Sequence, residues 1–389
     1  MNLPIDRPFI TDTLSKLVQI NSINPSLVSG SPGEVEIGQY IASQLEALRV
    51  ETSVEAVDGD RSNVIGFIQG SGHGKSLMLN AHMDTVGVDG MEDPFGARIE
   101  DGKLYGRGSQ DMKGSIAAML GAVKALKDAS IKLKGDIYLS FVIDEEYASL
   151  GTEDVIKKYK TDAAIVTEPT SLDICIAHRG FGNFEIKTFG KQAHGGSPED
   201  GIDANMLMGH AMLELSKLSN HLQERAPHPY LGHSSLHIPQ IAGGKQLFIY
   251  ADQCTLQYER RTLPKETEDS ITREIRSVLD RLEQSVPNFR YQLRKLVYRD
   301  AFEVAPEKEI VKLTQAATNK VLGHITPFIG HGWWEDSSLF AQNGADTVII
   351  GPKGHGIHGP VEWVDLQSVG DLSSILLDVL INYCGSNEA

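Results

Sequence analysis

The chain has 389 residues, a mass of 42.5 kDa and a formal net charge of −16 from 36 basic and 52 acidic residues. Such a length is too great for one ordinary core and predicts two domains, and the excess of acid excludes the concentrated Lys and Arg surface that nucleic acid requires. Cys175, Cys254 and Cys384 are widely separated with no CxxC, which argues against a disulfide framework or a thiolate zinc site. No apolar run approaches the ~20 residues that span a bilayer. The first residues, Met1 to Arg7, carry an acid and a proline where a signal peptide has a basic and then an apolar stretch, so the expected location is the cytoplasm.

Apolar positions at helical spacing predict helices over 9–20 and 34–48, separated by a loop containing Asn24-Pro25 and Ser29 to Gly33. Val50 to Val57 and Val64 to Ile68 read as strands. Gly70 to Ser76 contains a Gly-Lys-Ser that suggests a phosphate loop, but it precedes a strand and not a helix, which rules that reading out. The apolar run Leu77 to Ala81 ends in His82-Met83-Asp84. A loop through Asp93 to Gly96 and a hairpin-like stretch follow, then Gly106 to Gly114 with Asp111 near its end, and a helix over Ser115 to Lys127. A strand over Ile137 to Ile143 ends in Asp144-Glu145-Glu146. After a helical stretch, the strand Ala163 to Val166 runs into Glu168-Pro169-Thr170. Alternation of strand and helix predicts a mainly parallel sheet with helices on its faces.

From about Ile174 the pattern changes. Alternating strands at Phe184 to Thr188, Leu236 to Ile241 and Cys254 to Glu259, with helices over Ala204 to Leu218 and Glu266 to Leu282, describe a small sheet covered on one face. Helix (Lys308 to Leu322) and strand (Thr347 to Ile350) then resume, before Gly356-Ile357-His358-Gly359-Pro360. The expected architecture is therefore α/β: residues 1–177 and 296–389 form a mainly parallel-sheet domain, and 178–295 form an inserted α+β domain with two helices and a four-stranded sheet. His221, His228, His233 and His237, in the insert, lack ligand spacing and read as surface residues.

His and acidic side chains delivered to the ends of buried strands are how open α/β sheets build active sites, and a mixture of N and O donors points to a metal. In His82-Met83-Asp84 the two polar side chains share one side of an extended segment, so the carboxylate could orient a metal-bound imidazole. Adjacent carboxylates in Asp144-Glu145-Glu146 can divide labour between metal and proton. Each motif alone is also what a strand-end cap or a solvated turn looks like. Their conjunction and order carry more.

Ala81 to Val86, Tyr105 to Gly108 with Asp111 to Gly114, Asp144-Glu145-Glu146, Thr167 to Thr170, and His358 with Glu362 together resemble the M20 metallopeptidases, in the branch of acetylornithine deacetylase, succinyl-diaminopimelate desuccinylase and the glutamate carboxypeptidases. The resemblance spans essentially the whole chain. It implies two divalent cations, zinc or cobalt, with Asp111 bridging, His82 and Glu168 completing one site and Glu146 and His358 the other. It implies Glu145 as general base and acid, and Asp84 as the orienter of His82. The insert becomes a lid and dimerisation domain, in which His194, within Gly190 to Pro198, supplies the oxyanion donor to the partner of a homodimer, and Arg261 binds a substrate carboxylate. Phe248 stands where the family usually has asparagine, Ala251 where it has proline, and Trp333-Trp334 bring an aromatic pair to a segment that borders the substrate in relatives. The implied activity is hydrolysis of an N-acyl-amino acid, with a metallo-carboxypeptidase or dipeptidase acting on short peptides as the alternative and a catalytically silent metabolite-binding homologue as the remote one.

Overall fold

A computed structural model of the protein describes residues 3–386, which divide into two compact units. The first comprises the chain through Ile176, Val304–Ile329 and the residues from Glu335 onward; the second comprises Ala177–Glu303 with Gly330–Trp334.

In the first unit, strands Glu51–Asp58, Arg61–Ile68, Ile137–Val142, Leu77–His82, Ala163–Val166 and Asp346–Ile349 lie side by side in that order, next to Ile174–His178, through which the chain passes into the second unit. The pattern is mixed where the sequence suggested mainly parallel. Glu51–Asp58 and Arg61–Ile68 pair antiparallel, and Arg61–Ile68 is antiparallel to Ile137–Val142. Leu77–His82 is parallel to both Ile137–Val142 and Ala163–Val166, which is in turn parallel to Asp346–Ile349. That parallel block brings the C-terminal ends of three strands, and the polar motifs that follow them, to one edge of the sheet.

Its central strands are buried on both faces, hence their unbroken apolar runs. Helix Gly114–Asp128 is buried nearly all round, packed between Arg7–Gln19 and Leu366–Cys384. Gly121 permits that approach, since a Cβ there would lie 2.6 Å from Ile10 and 2.8 Å from Ser373. A small antiparallel sheet of Gly354–His355, Trp363–Asp365, Lys103–Tyr105 and Arg98–Glu100 braces the segments that carry Asp111 and His358. Among the described residues no helix is long and apolar enough to cross a membrane.

The second unit is an antiparallel sheet ordered Ser235–Gly243, Gln253–Thr262, Gly180–Phe189 and Tyr291–Arg299, with helices Ala204–Glu224 and Glu268–Ser285. Burial alternates strictly along Gly180–Phe189 and Gln253–Thr262. Their inward residues, among them Phe184, Ile186, Leu256 and Tyr258, meet Leu207, Met208, Leu215, Ile275 and Leu279 of the helices.

The same alternation separates two adjacent arginines. Arg260 points inward, fully buried, and is ion-paired with Glu266 at 2.6 Å; Arg261 faces outward with its side chain 31% exposed and pairs with Glu259 at 2.6 Å. Arg260→Met is expected to destabilise the protein by about 3 kcal/mol, because it strands partly buried carboxylates, and Arg261→Ala by no more than about 0.5 kcal/mol, as read by urea unfolding.

Candidate metal centre

His82 closes the strand Leu77–His82 and is 1% exposed. Its Nδ1 lies 3.0 Å from the backbone carbonyl of Asp84; because a carbonyl only accepts, Nδ1 carries the hydrogen and Nε2 is left to act as a donor to metal. Nε2 lies 3.1 Å from Asp111 Oδ1 and 3.6 Å from Glu168 Oε1. On the far side of Asp111, His358 Nε2 lies 3.3 Å from Asp111 Oδ2 and 2.9 Å from Glu146 Oε2. The result is two three-residue groups, His82–Asp111–Glu168 and Asp111–Glu146–His358, each with its ligand atoms within 4.8 Å of one another and both using Asp111.

The electrostatics of the group match a cation site. Burial, and then the charge of their neighbours, holds Glu145 and Glu168 well above the ordinary carboxyl range, and burial with the charge of Asp111 pushes Glu146 up to about 7. Hydrogen bonds to Asp111 and Glu146 raise His358 to about 10. Burial alone would lower His82, but Glu168, Asp111 and Asp84 outweigh it and hold its imidazolium well above its usual range. Burial would likewise raise Asp111, yet His358 and His82 pull it below its usual value. Two imidazoles and three carboxylates crowded this closely share their protons uneasily, and a pair of N/O-binding divalent cations satisfies the same lone pairs together. The donor set fits such ions.

Asp84 acts differently from the reading of the sequence. Its carboxylate oxygen is 3.6 Å from His82 Nδ1, beyond a hydrogen bond, so its backbone carbonyl orients the ring. The carboxylate instead accepts the amides of Glu145 at 3.1 Å and Glu146 at 3.2 Å, and so anchors the acid turn.

Asp111 is held by Glu362. It lies in a π-type turn, Ser109–Lys113, with non-helical φ and ψ and a cis peptide bond to Met112. Glu362, 1% exposed, accepts the amides of Gln110 and Asp111 at 3.0 and 3.1 Å through one oxygen, and through the other the amide of Gly108 at 2.9 Å and Arg107 at 2.6 Å. Gly108 is required here, since its φ is +75° and a Cβ would lie 2.6 Å from Thr85. Glu362→Gln removes the ion pair and acceptor capacity under Asp111. A competition titration against a chelating dye is expected to show metal affinity reduced about 10-fold to 100-fold.

The remaining predicted site residues lie in the second unit. His194 is exposed, its Nδ1 accepting the amide of Gly196 at 3.0 Å. Phe248 is 76% exposed, and its backbone is joined to the His194 loop through Gly195 N to Phe248 O at 2.7 Å. Arg261 lies over the Phe181 ring at 5.4 Å. Trp334 packs edge-on against Phe181 and donates to the Asp300 carbonyl at 3.1 Å, while Trp333 stacks on His331 and is 47% exposed. His221 pairs with Glu224 and His228 with Glu303.

The chain matches the peptidase family M20/M25/M40 over residues 78–382. It is 28% identical to an acetylornithine deacetylase from Pectobacterium carotovorum subsp. carotovorum, with 99% of each chain covered. It is also 28% identical to the N-formyl-4-amino-5-aminomethyl-2-methylpyrimidine deformylase of Bacillus subtilis, with 90% of each covered. Among solved structures, an M20 family metallo-carboxypeptidase from Sulfolobus solfataricus superposes with a TM-score of 0.77 at 19% identity, covering 96% of this chain and 99% of the other. The chain belongs to peptidase family M20/M25/M40, metal-dependent hydrolases that act on amide bonds.

Proposed function

We propose that the protein is a cytoplasmic, homodimeric amidohydrolase that removes the acyl group from an N-acyl-amino acid, with acetylornithine-like deacylation as the leading case. The observation that carries this reading is the pair of ligand groups joined through Asp111 with Glu145 beside them; near-full-length similarity to an acetylornithine deacetylase supports the substrate class.

His82, Asp111 and Glu168 would hold one ion and Asp111, Glu146 and His358 the other, zinc in the first instance and cobalt as a substitute. When bound, such ions would supply Lewis-acid chemistry, lowering the pKa of a water towards neutrality and polarising the scissile carbonyl. Glu145 takes the proton of the attacking water and returns it to the leaving amine, a shuttle suited to a carboxyl held above its ordinary range. Asp84 keeps the turn that carries Glu145 in place. His194, exposed on its loop with Nδ1 accepting the Gly196 amide, serves as oxyanion donor in trans. Arg261 receives the substrate carboxylate, as a guanidinium fork does, with Phe248, Trp333 and Trp334 forming apolar walls.

A carboxypeptidase or dipeptidase would use the same residues, and the similarity to a metallo-carboxypeptidase structure keeps that second reading in view. The metal-loaded enzyme should be assayed against panels of N-acetyl-amino acids, N-formyl amines and dipeptides. Cleavage of N-acetylornithine or a close analogue is expected. Cleavage confined to dipeptides selects the peptidase reading, and cleavage of none of them removes the substrate assignment.

A further inference from the structure

Beneath the acid turn lies a group of polar side chains that the chemistry above does not use. Arg61 opens the strand Arg61–Ile68, with its side chain only 6% exposed. It grips Glu34 at two points, Nε to Oε2 at 2.8 Å and Nη2 to Oε1 at 2.6 Å, and its Nη2 also reaches Asp144 Oδ1 at 3.1 Å. Asn24 Nδ2 donates to both Asp144 Oδ1 at 3.0 Å and Asp84 Oδ2 at 2.8 Å. Asp84 holds the amides of Glu145 and Glu146.

Glu34 is placed oddly for its own helix. It precedes Val35–Ala47 at the position where Ser, Thr, Asp or Asn would accept a helix amide, and its side chain makes no such bond. Its carboxylate instead takes Arg61 and the backbone N–H of Asp144 at 3.2 Å. A local rule broken in this way marks a residue committed elsewhere.

What the group holds is the conformation of Asp144. That residue has φ +67°, in the left-handed region that non-glycine residues seldom occupy without support. Its N–H is taken by Glu34, its Oδ1 by Arg61 and Asn24, and its carbonyl by the amides of Ala148 and Ser149 at 3.0 and 2.6 Å. The backward turn at Asp144 aims the next two amides at Asp84. Two buried carboxylates, Glu34 and Asp144, around one guanidinium stabilise a fold poorly, because desolvation offsets their attraction; their use is geometric.

We propose that Arg61, acting with Glu34 and Asn24, is a positioning residue for the acid turn: it locks Asp144 in the left-handed conformation and thereby sets Glu145 for proton transfer. This rests on the role given to Glu145 above. Arg61 touches neither substrate nor reacting atoms, so loosening it lowers kcat with little effect on KM, since a small misplacement of a reacting group is costly in rate.

The test compares wild type, Arg61→Lys, the paired variant Arg61→Met with Glu34→Met, and Glu145→Gln on whichever substrate the wild type turns over. The paired variant removes both ends of the Arg61–Glu34 pair, so Glu34 is not stranded, and leaves Asp144 held by Asn24 alone of these three residues. With two ions per chain confirmed by elemental analysis, the paired variant is expected to lose at least about 10-fold in kcat with KM within about 2-fold, and Arg61→Lys to lose less. Amide hydrogen exchange at Glu145 and Glu146 is expected to accelerate in the paired variant, while helices remote from the turn keep wild-type protection. A folded, fully loaded paired variant with wild-type kcat and unchanged exchange overturns the proposal. If the pair does not fold, Arg61→Lys decides by the same two readouts. Glu145→Gln separates the two claims: its full activity would sink the proton-shuttle reading itself, whereas an inactive Glu145→Gln beside an unimpaired Arg61 series sinks only the positioning role.

Discussion

Glutamine at position 145 is expected to lower kcat by about a thousandfold while both metal ions stay bound, because general acid–base transfer contributes roughly 10²–10⁴ in rate and Glu145 belongs to neither ligand group. The substitution keeps the shape of the side chain and removes only its capacity to carry a proton. Elemental analysis checks the metal and steady-state kinetics check the rate; wild-type turnover in a fully loaded variant would take Glu145 out of the proton path. Stability gives a second check. Glu145 has its pKa raised by burial and by the charge of Glu168, so its ionised form costs stability above the unfolded carboxyl value, and that cost disappears as pH falls. The chelator-treated variant is therefore expected to melt above chelator-treated wild type at pH 8, with the difference closing towards pH 4.5.

Asp111→Asn is expected to abolish binding of both ions, whereas Glu146→Ala loses only the ion on the His358 side, since Asp111 alone belongs to both groups. Metal stoichiometry after gel filtration distinguishes the two. Metal and protons compete for the same atoms: Glu146 titrates at about 7 and His358 at about 10. Affinity for a divalent cation is thus expected to rise with pH between 6 and 8, by about tenfold per unit for each proton displaced. In the metal-free protein the sign reverses. The raised carboxyl of Glu146 loses stability as pH climbs from the ordinary carboxyl value through about 7, and the raised imidazolium of His358 loses its contribution as pH climbs through about 10. Thermal melts with and without chelator should accordingly diverge with rising pH, and at a thousandfold excess of metal over Kd the loaded form gains about 4 kcal/mol.

His82, Glu146 and Glu168 are legible in the sequence for one physical reason: strands buried on both faces are unbroken apolar runs, so polar residues just past them announce themselves. Asp111 is legible only through its glycine-rich setting, because the π-type turn that carries it has no periodic signature. The period of two places the side chains of His82 and Asp84 on one side, but Asp84 lies beyond the end of the strand at His82, and its carbonyl rather than its carboxylate meets the ring. The antiparallel pairing of Arg61–Ile68 was hidden because its inner residues are as apolar as a parallel strand's. Tyr291–Arg299 is blurred by a register shift between Lys295 and Val297 that breaks the alternation. Asn24, Glu34 and Arg61 give no signal at all in one dimension. Each is an ordinary polar residue near a loop or helix start, and only their convergence on Asp144 shows what they do.

The two ligand groups that share Asp111 are built unequally. His82 and Glu168 follow strands of the central sheet and are almost wholly enclosed, whereas His358 sits on a loop with φ +59° and its side chain is 51% exposed. A shared ligand does not make the two positions equivalent. A cation at the enclosed position is expected to leave slowly and one at the His358 position quickly. Dialysis against a chelator followed by elemental analysis should then pass through a stage with one ion per chain, and the metal supply in the surrounding solution would set how much of the protein is complete.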